Sequence, residues 1–126
     1  MAKTYAEKRD FRVCRVDANQ PEIVEEFRRL GCSVEPTHWY ADGFPDCMVG
    51  VAGFNILVEI KNGTKPPSAR KLTKFEGWWH MTWQGQVIVV KDVEEVRALV
   101  SAVKRLARQI KACNIPLPGS FLPRKK

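Results

Sequence analysis

Between Cys47 and Lys61 the chain reads CMVGVAGFNILVEIK, two apolar runs parted only by Ala52–Gly53. A stretch this apolar has to be covered, yet it falls short of the roughly 18–20 apolar residues needed to span a bilayer. Two short apolar runs joined by a pair that contains glycine predict a β-hairpin. Its second arm, Ile56 to Lys61, is the more strand-like, being richer in residues that fit a pleated surface. Whatever else the chain does, it must supply elements that shield this hairpin.

The flanking sequence supplies them. DANQPEIVEEFRRLG predicts a helix: Asn19 is placed to cap it, Pro21 sits in its first turn, and Gly31 ends it. Ile23, Val24, Phe27 and Leu30 form its apolar face. CSVEPTHW predicts a short strand, bent or at an edge because of Pro36. NGTKPPSARK reads as an exposed loop, after which Thr73 caps a helix carrying Phe75, Trp78, Trp79 and, near its end, Trp83. QVIVVK has the pattern of a buried strand. Asp92 caps a last helix whose apolar stripe runs through Val93, Val96, Leu99, Val100, Val103, Leu106 and Ile110. The order α-β-β-β-α-β-α predicts one α/β domain over residues 17–112, a mixed sheet flanked by helices that bury its apolar faces. Residues 1–16 read as a basic arm and 113–126 as a proline-rich basic tail.

Charge narrows the function classes. The 126 residues hold 21 Lys and Arg against 14 Asp and Glu, a net charge of +7 that suits phosphate backbones or acidic surfaces. The surplus is localised. No acid follows Glu95, and Lys61–Lys74, with Lys65, Arg70 and Lys71 between, is free of acids as well. A single basic run is often only a solvated face; two that flank an acidic cluster point to an anionic partner. The four cysteines, at 14, 32, 47 and 113, lack zinc-site spacing, and His38 and His80 complete no cluster. Reduced, mostly buried thiols in the cytoplasm are expected. The charged start MAKTYAEKRDFR carries no apolar run behind it, so neither a signal peptide nor a membrane association is expected.

The chemistry is concentrated in GFPDCMVGVAGFNILVEIKNG. Glu59 and Lys61 are two apart on a predicted strand and leave the same face. A hairpin can bring Asp46, at the opening of the neighbouring strand, beside them. Hydrolysis of an anionic phosphodiester requires charge neutralisation and a nucleophile at neutral pH. Mg²⁺ or Mn²⁺ provides both and prefers hard oxygen ligands such as Asp46, Glu59 and the Ile60 carbonyl. Lys61 can orient the attacking water or stabilise the added negative charge. Each residue also has a plainer explanation. An Asp after Pro is commonly a turn residue, and charged groups commonly finish a strand in solvent. A Glu late in an otherwise apolar run, however, risks burial and needs a partner or a metal.

Pro45–Asp46 followed by Glu59–Ile60–Lys61 resembles the signature of the PD-(D/E)XK nuclease superfamily, in particular its VRR-NUC and Holliday-junction-resolvase-like branch, small proteins often encoded by phages. The resemblance runs from about Asp17 to Val90 and includes DANQPEIV, GFPDCMVG, NILVEIKNG and PPSARKLTKFEGWWHMTWQGQVIVV. It implies a restriction-endonuclease-like fold and a Mg²⁺- or Mn²⁺-dependent DNA endonuclease, selective for branched or junction DNA, in a bacterial or phage-infected cell. It also implies metal ligation by Asp46, Glu59 and the Ile60 carbonyl, Lys61 as the catalytic lysine, and Glu22 as the family's helix-borne acid. DNA contacts then fall to Lys65, Arg70, Lys71 and Lys74. Many relatives carry a glutamine in the helix after the lysine. Here that position is Glu76, which either takes the glutamine's place, joins the metal site or faces solvent. Junction-cutting relatives usually work as dimers, so a homodimer is the oligomer the resemblance implies.

Other readings stay open on the residues alone. Glu22 in the first turn can simply favour the helix dipole or complete a capping box. Trp78, Trp79 and Trp83 can stack on exposed bases, but they cannot all share one helix face, so core packing is expected for at least one or two. His80 reads as a surface residue or one behind the site. The same fold can also serve as a non-catalytic nucleic-acid-binding module, or the basic tail can serve assembly.

Overall fold

The computed structural model describes residues 17–37 and 39–112, so the arm, the tail, Cys14, Cys113 and His38 lie outside the described residues. Helix α1 spans Gln20–Arg29; strands β1, β2 and β3 span Ser33–Pro36, Cys47–Val51 and Phe54–Ile60. A 3-10 turn at Pro67–Arg70 leads to α2, Lys74–Thr82, then β4, Val87–Val90, and α3, Val93–Ala112. The four strands form one mixed sheet in the order β1-β2-β3-β4. β1–β2 and β2–β3 are antiparallel, while β3–β4 is parallel, with α2 in the connection. The mixed α/β class is as expected.

Strand alternation explains which face is the core. Val49 and Val51 of β2 and Ile56, Val58 and Ile60 of β3 are buried against Ile23 and Phe27 of α1 and Val96 and Val100 of α3. Glu26, buried on α1, ties the two helices together: it accepts from Arg29 and from Arg97 Nε at 2.8 Å. The hydrogen bond from Arg29, joined by that from Arg97, brings its carboxyl down to about 2. Cys32 and Cys47 are buried and free. The other face of the sheet, carrying Met48, Leu57, Glu59 and Val89, looks away from this core.

Two expectations need correction. β4 is an edge strand and only Val90 is buried; Val89, on the far face, is 38% exposed. Apolar runs identify a strand, but they do not reveal that one face will lack a full cover. Asn19 stands at the N-cap of α1 but makes no side-chain cap. Its amide instead donates to the carbonyls of Lys61 at 3.0 Å and Lys91 at 2.9 Å, pinning the start of α1 to the ends of β3 and β4. Thr73 does cap α2, in a reciprocal box with Glu76, and the Asp92 side chain accepts from Glu95 N at 2.9 Å.

The hairpin turns through Ala52 and Gly53, with φ of 51° and 89°. A two-residue turn with left-handed backbone at both positions matches strand twist, but it strains an alanine. Ala52→Asn is expected to stabilise the protein by about 1 kcal/mol. A higher urea midpoint at unchanged slope is the readout.

Candidate active site

Asp46 immediately precedes β2, where Thr37 holds the chain: its N–H donates to the Asp46 carbonyl and its hydroxyl to the Pro45 carbonyl, both at 2.8 Å. The β2–β3 pairing begins at Cys47 opposite Val58, leaving Ile60 beyond the end of its partner strand. Asp46 Oδ2 accepts the Ile60 N–H at 2.7 Å and so continues the ladder with a side chain. This fastens Asp46 to the backbone between Glu59 and Lys61. The Lys61 N–H is itself anchored to the Val90 carbonyl at 2.9 Å.

Asp46 and Glu59 are buried, at 9% and 3% exposure. Lys61 Nζ lies 2.8 and 3.2 Å from the two Glu76 oxygens and 3.3 Å from Glu59 Oε1. Glu76 therefore turns inward. One carboxylate both braces Lys61 and accepts from Thr73 N at 2.7 Å, linking helix start and strand end.

Three carboxyls around one ammonium leave excess negative charge in a dry place. Burial pushes Asp46 up to about 6, against the Ile60 hydrogen bond that favours the anion; the Glu76 charge adds to the rise. Burial, the hydrogen bond with Glu76 and the nearby Asp46 charge push Glu59 up to about 10. Burial opposes charge on Glu76 as well, but hydrogen bonds from Glu59, Lys61 and the Thr73 backbone prevail and bring it down to about 2. Glu59 thus keeps the proton and Glu76 the charge. Burial disfavours the Lys61 ammonium, but the hydrogen bond to Glu76 and the carboxyl charges outweigh it, so its pKa rises and it stays charged.

No group of three or more His, Cys, Asp or Glu side chains arranged to hold a metal occurs among the described residues. A smaller donor set would suit a hard divalent cation: the buried carboxyls of Asp46 and Glu59, with the carbonyl of Ile60, the residue between Glu59 and Lys61. A cation there would replace the proton that Glu59 keeps, which relieves the crowding of charge.

The other expected residues lie as follows. Glu22 is exposed in the first turn of α1, and no hydrogen bond or ion pair joins it to Asp46, Glu59 or Lys61. Asp17, just before that helix, adds to the rise in Asp46 instead and pairs with Lys65 at 3.5 Å. Arg70 is half-buried at the end of the 3-10 turn, whereas Lys71 and Lys74 are exposed. His80 is half-buried one turn after Glu76; burial lowers its pKa, and Nε2 is buried without a partner. None of the residues of α2 is fully buried, so the tryptophans do not form a core in the expected sense. Trp79 instead packs edge-on against Phe44 at 4.8 Å and tilted against Trp83 at 5.0 Å. Those rings tie the loop carrying Asp46 to the helix carrying Glu76.

Sequence reasoning missed Asn19, Asp17 and Gly43. Asn19 looks like a cap in any sequence, and nothing local reveals its reach to Lys61. Gly43 has φ +80°, and a Cβ there would lie 2.6 Å from the Phe75 backbone. Gly43→Ala is expected to push α2 off the loop, at a cost of about 3 kcal/mol. Red-shifted tryptophan emission and a lower melting temperature would report it.

No protein-family model, curated protein or solved structure matches this chain. Among the described residues no helix is long and apolar enough to cross a membrane.

Proposed function

We propose that the protein is a divalent-metal-dependent endonuclease that hydrolyses DNA phosphodiesters, built on a restriction-endonuclease-like fold of the PD-(D/E)XK type. The observation that carries this reading is the convergence of buried Asp46 and Glu59 with Lys61 at one end of β3. A structural site gains nothing from crowding carboxyls that must keep a proton to coexist. Mg²⁺ or Mn²⁺, when bound, would neutralise phosphate charge and make water nucleophilic. Asp46 and Glu59, with the Ile60 carbonyl, would hold the ion.

The chain's own residues do the rest. Asp46 is oriented by the Ile60 N–H and needs no rearrangement to act. Lys61 presents a fixed ammonium to the phosphate oxygens or the attacking water, and Glu76 keeps it charged and in place. Exposed Lys71 and Lys74, with Lys65 and Arg70, offer phosphate contacts on the loop that leaves the site. Glu22 has no necessary part in this arrangement. A homodimer suits a junction substrate, with one site for each symmetric strand.

The alternative is a nucleic-acid-binding module without catalysis. The carboxyl cluster disfavours it, since the charge on Glu76 and Asp46 repels the phosphate that the basic loop attracts. The two are separated by incubating the protein with single-stranded, duplex, flap and four-way-junction DNA, in Mg²⁺, Mn²⁺ or EDTA. Cleavage in metal and none in EDTA is expected; salt-sensitive binding without cleavage across the whole panel would favour the module.

A further inference from the structure

The outer side of α2 carries a stripe of large, exposed apolar side chains. Phe75, Trp78 and Met81 recur every third residue along it and are 62%, 57% and 79% exposed. A small domain rarely leaves large apolar side chains together in water unless something covers them. Trp78 is also backed: its ring meets Trp79 edge-on at 6.2 Å, and Trp79 is in turn held by Phe44 and Trp83. The exposed ring therefore stands on a packed cluster that limits its motion.

The charge around this stripe selects the occupant. Lys74 lies four residues before Trp78, one helical turn away, and is exposed; Lys71 precedes it, also exposed. The loop 62–73 contains no acid. The one acid of α2, Glu76, points inward to Lys61. A surface of aromatic rings edged by cations, with its acid withdrawn, matches a strand that offers both base faces and phosphates. A second copy of the chain fits less well, because a two-fold contact presses the same cation-edged patch against itself, and neither α2 nor loop 62–73 offers a free acid to pair with Lys71 and Lys74.

We propose that Phe75 and Trp78 form a stacking platform for unpaired bases of DNA, so that the protein prefers substrates that carry a single-stranded segment. This rests on the nuclease reading for the identity of the substrate but not on catalysis. Duplex DNA hides its base faces and can use only the lysines. Glu76 is on the same helix and points the other way, to Lys61, so α2 carries the platform on one side and braces the candidate active site on the other.

The test is fluorescence anisotropy of a labelled oligothymidylate, and of a duplex of equal length, with full-length protein in EDTA so that nothing is cut. Trp78→Ala and Phe75→Ala should each weaken oligothymidylate binding roughly tenfold, with duplex binding changed less than about twofold. Trp78→Tyr should restore most of the loss, and circular dichroism should show all three variants folded. Unchanged oligothymidylate binding in both alanine variants would overturn the proposal. So would a wild-type dimer in sedimentation that Trp78→Ala turns into a monomer, since the surface would then belong to a second copy. Failure of catalysis leaves these readouts intact: a protein that cuts nothing in metal but shows the expected binding pattern loses the nuclease reading alone.

Discussion

Lys61→Ala is expected to slow metal-dependent DNA cleavage by about 10²–10³-fold, the usual consequence of removing one fixed group that stabilises developing negative charge. The ammonium is held by Glu76 at 2.8 Å and by Glu59 at 3.3 Å, on a strand end anchored to β4 and α1. It is thus positioned before substrate arrives. The variant also strips Glu76 of its cation, so some loss of stability accompanies the loss of rate. Lys61→Arg separates the two effects. Guanidinium keeps the positive charge that Glu76 requires, but it cannot place a compact ammonium at the phosphate. Its melting temperature should return close to wild type while its rate stays low. Full recovery of rate with arginine would show that only bulk charge mattered.

Glu59→Gln carries the second large effect, and it moves stability and metal response in opposite directions. Glu59 is raised to about 10 and Asp46 to about 6, so both bind a proton more tightly when folded. Their contribution to metal-free stability is full below the pKa of an unfolded carboxyl, near 4, and is lost as pH rises through 6 for Asp46 and towards 10 for Glu59. Glu76 has the opposite sign: lowered to about 2, it contributes above the unfolded value and loses that contribution only in strong acid. At pH 8 the folded protein must therefore hold a proton on Glu59 that the unfolded chain would release. Glutamine keeps the hydrogen bond to Glu76 without that cost. The metal-free variant is expected to be more stable than wild type by several kcal/mol at pH 8, with the gain shrinking towards pH 4.5. Addition of Mg²⁺ should raise the melting temperature of wild type and leave that of the variant unmoved, because a neutral amide is a poor replacement for a carboxylate ligand. Thermal melts across pH, with Mg²⁺ or EDTA, read both effects.

The hairpin and its partners were legible because their signals are local. Apolar runs around Ala52–Gly53, the Thr73 cap and the long stripe of α3 each lie within a few residues of the element they specify. The side chains that make the site were legible for a related reason: Glu59 and Lys61 share a strand face, and hairpin register puts Asp46 opposite them. The bracing of the site was not. Asn19 bonds residues 61 and 91, and Gly43 makes room for Phe75; such contacts follow from how the elements dock, which no spacing encodes. The exposed side of β4 and the thin burial of α2 were hidden in the same way, since an apolar run states what would profit from cover and not whether cover exists. Glu76 lay between these cases. Its capping role is local, while its grip on Lys61 depends on where α2 docks relative to the end of β3.

One measurement bears on the central claim most directly: the rate of DNA strand cleavage in Mg²⁺ by wild type and by Asp46→Asn, purified side by side. Asparagine keeps the acceptor for the Ile60 N–H and removes the ligand charge, so the fold should survive. Wild type is expected to cut in Mg²⁺ and stop in EDTA, with Asp46→Asn at least about 10²-fold slower. Equal cleavage by the two proteins, or none by wild type with Mg²⁺ or Mn²⁺ on any DNA form, would contradict the assignment of this strand end as a nuclease site.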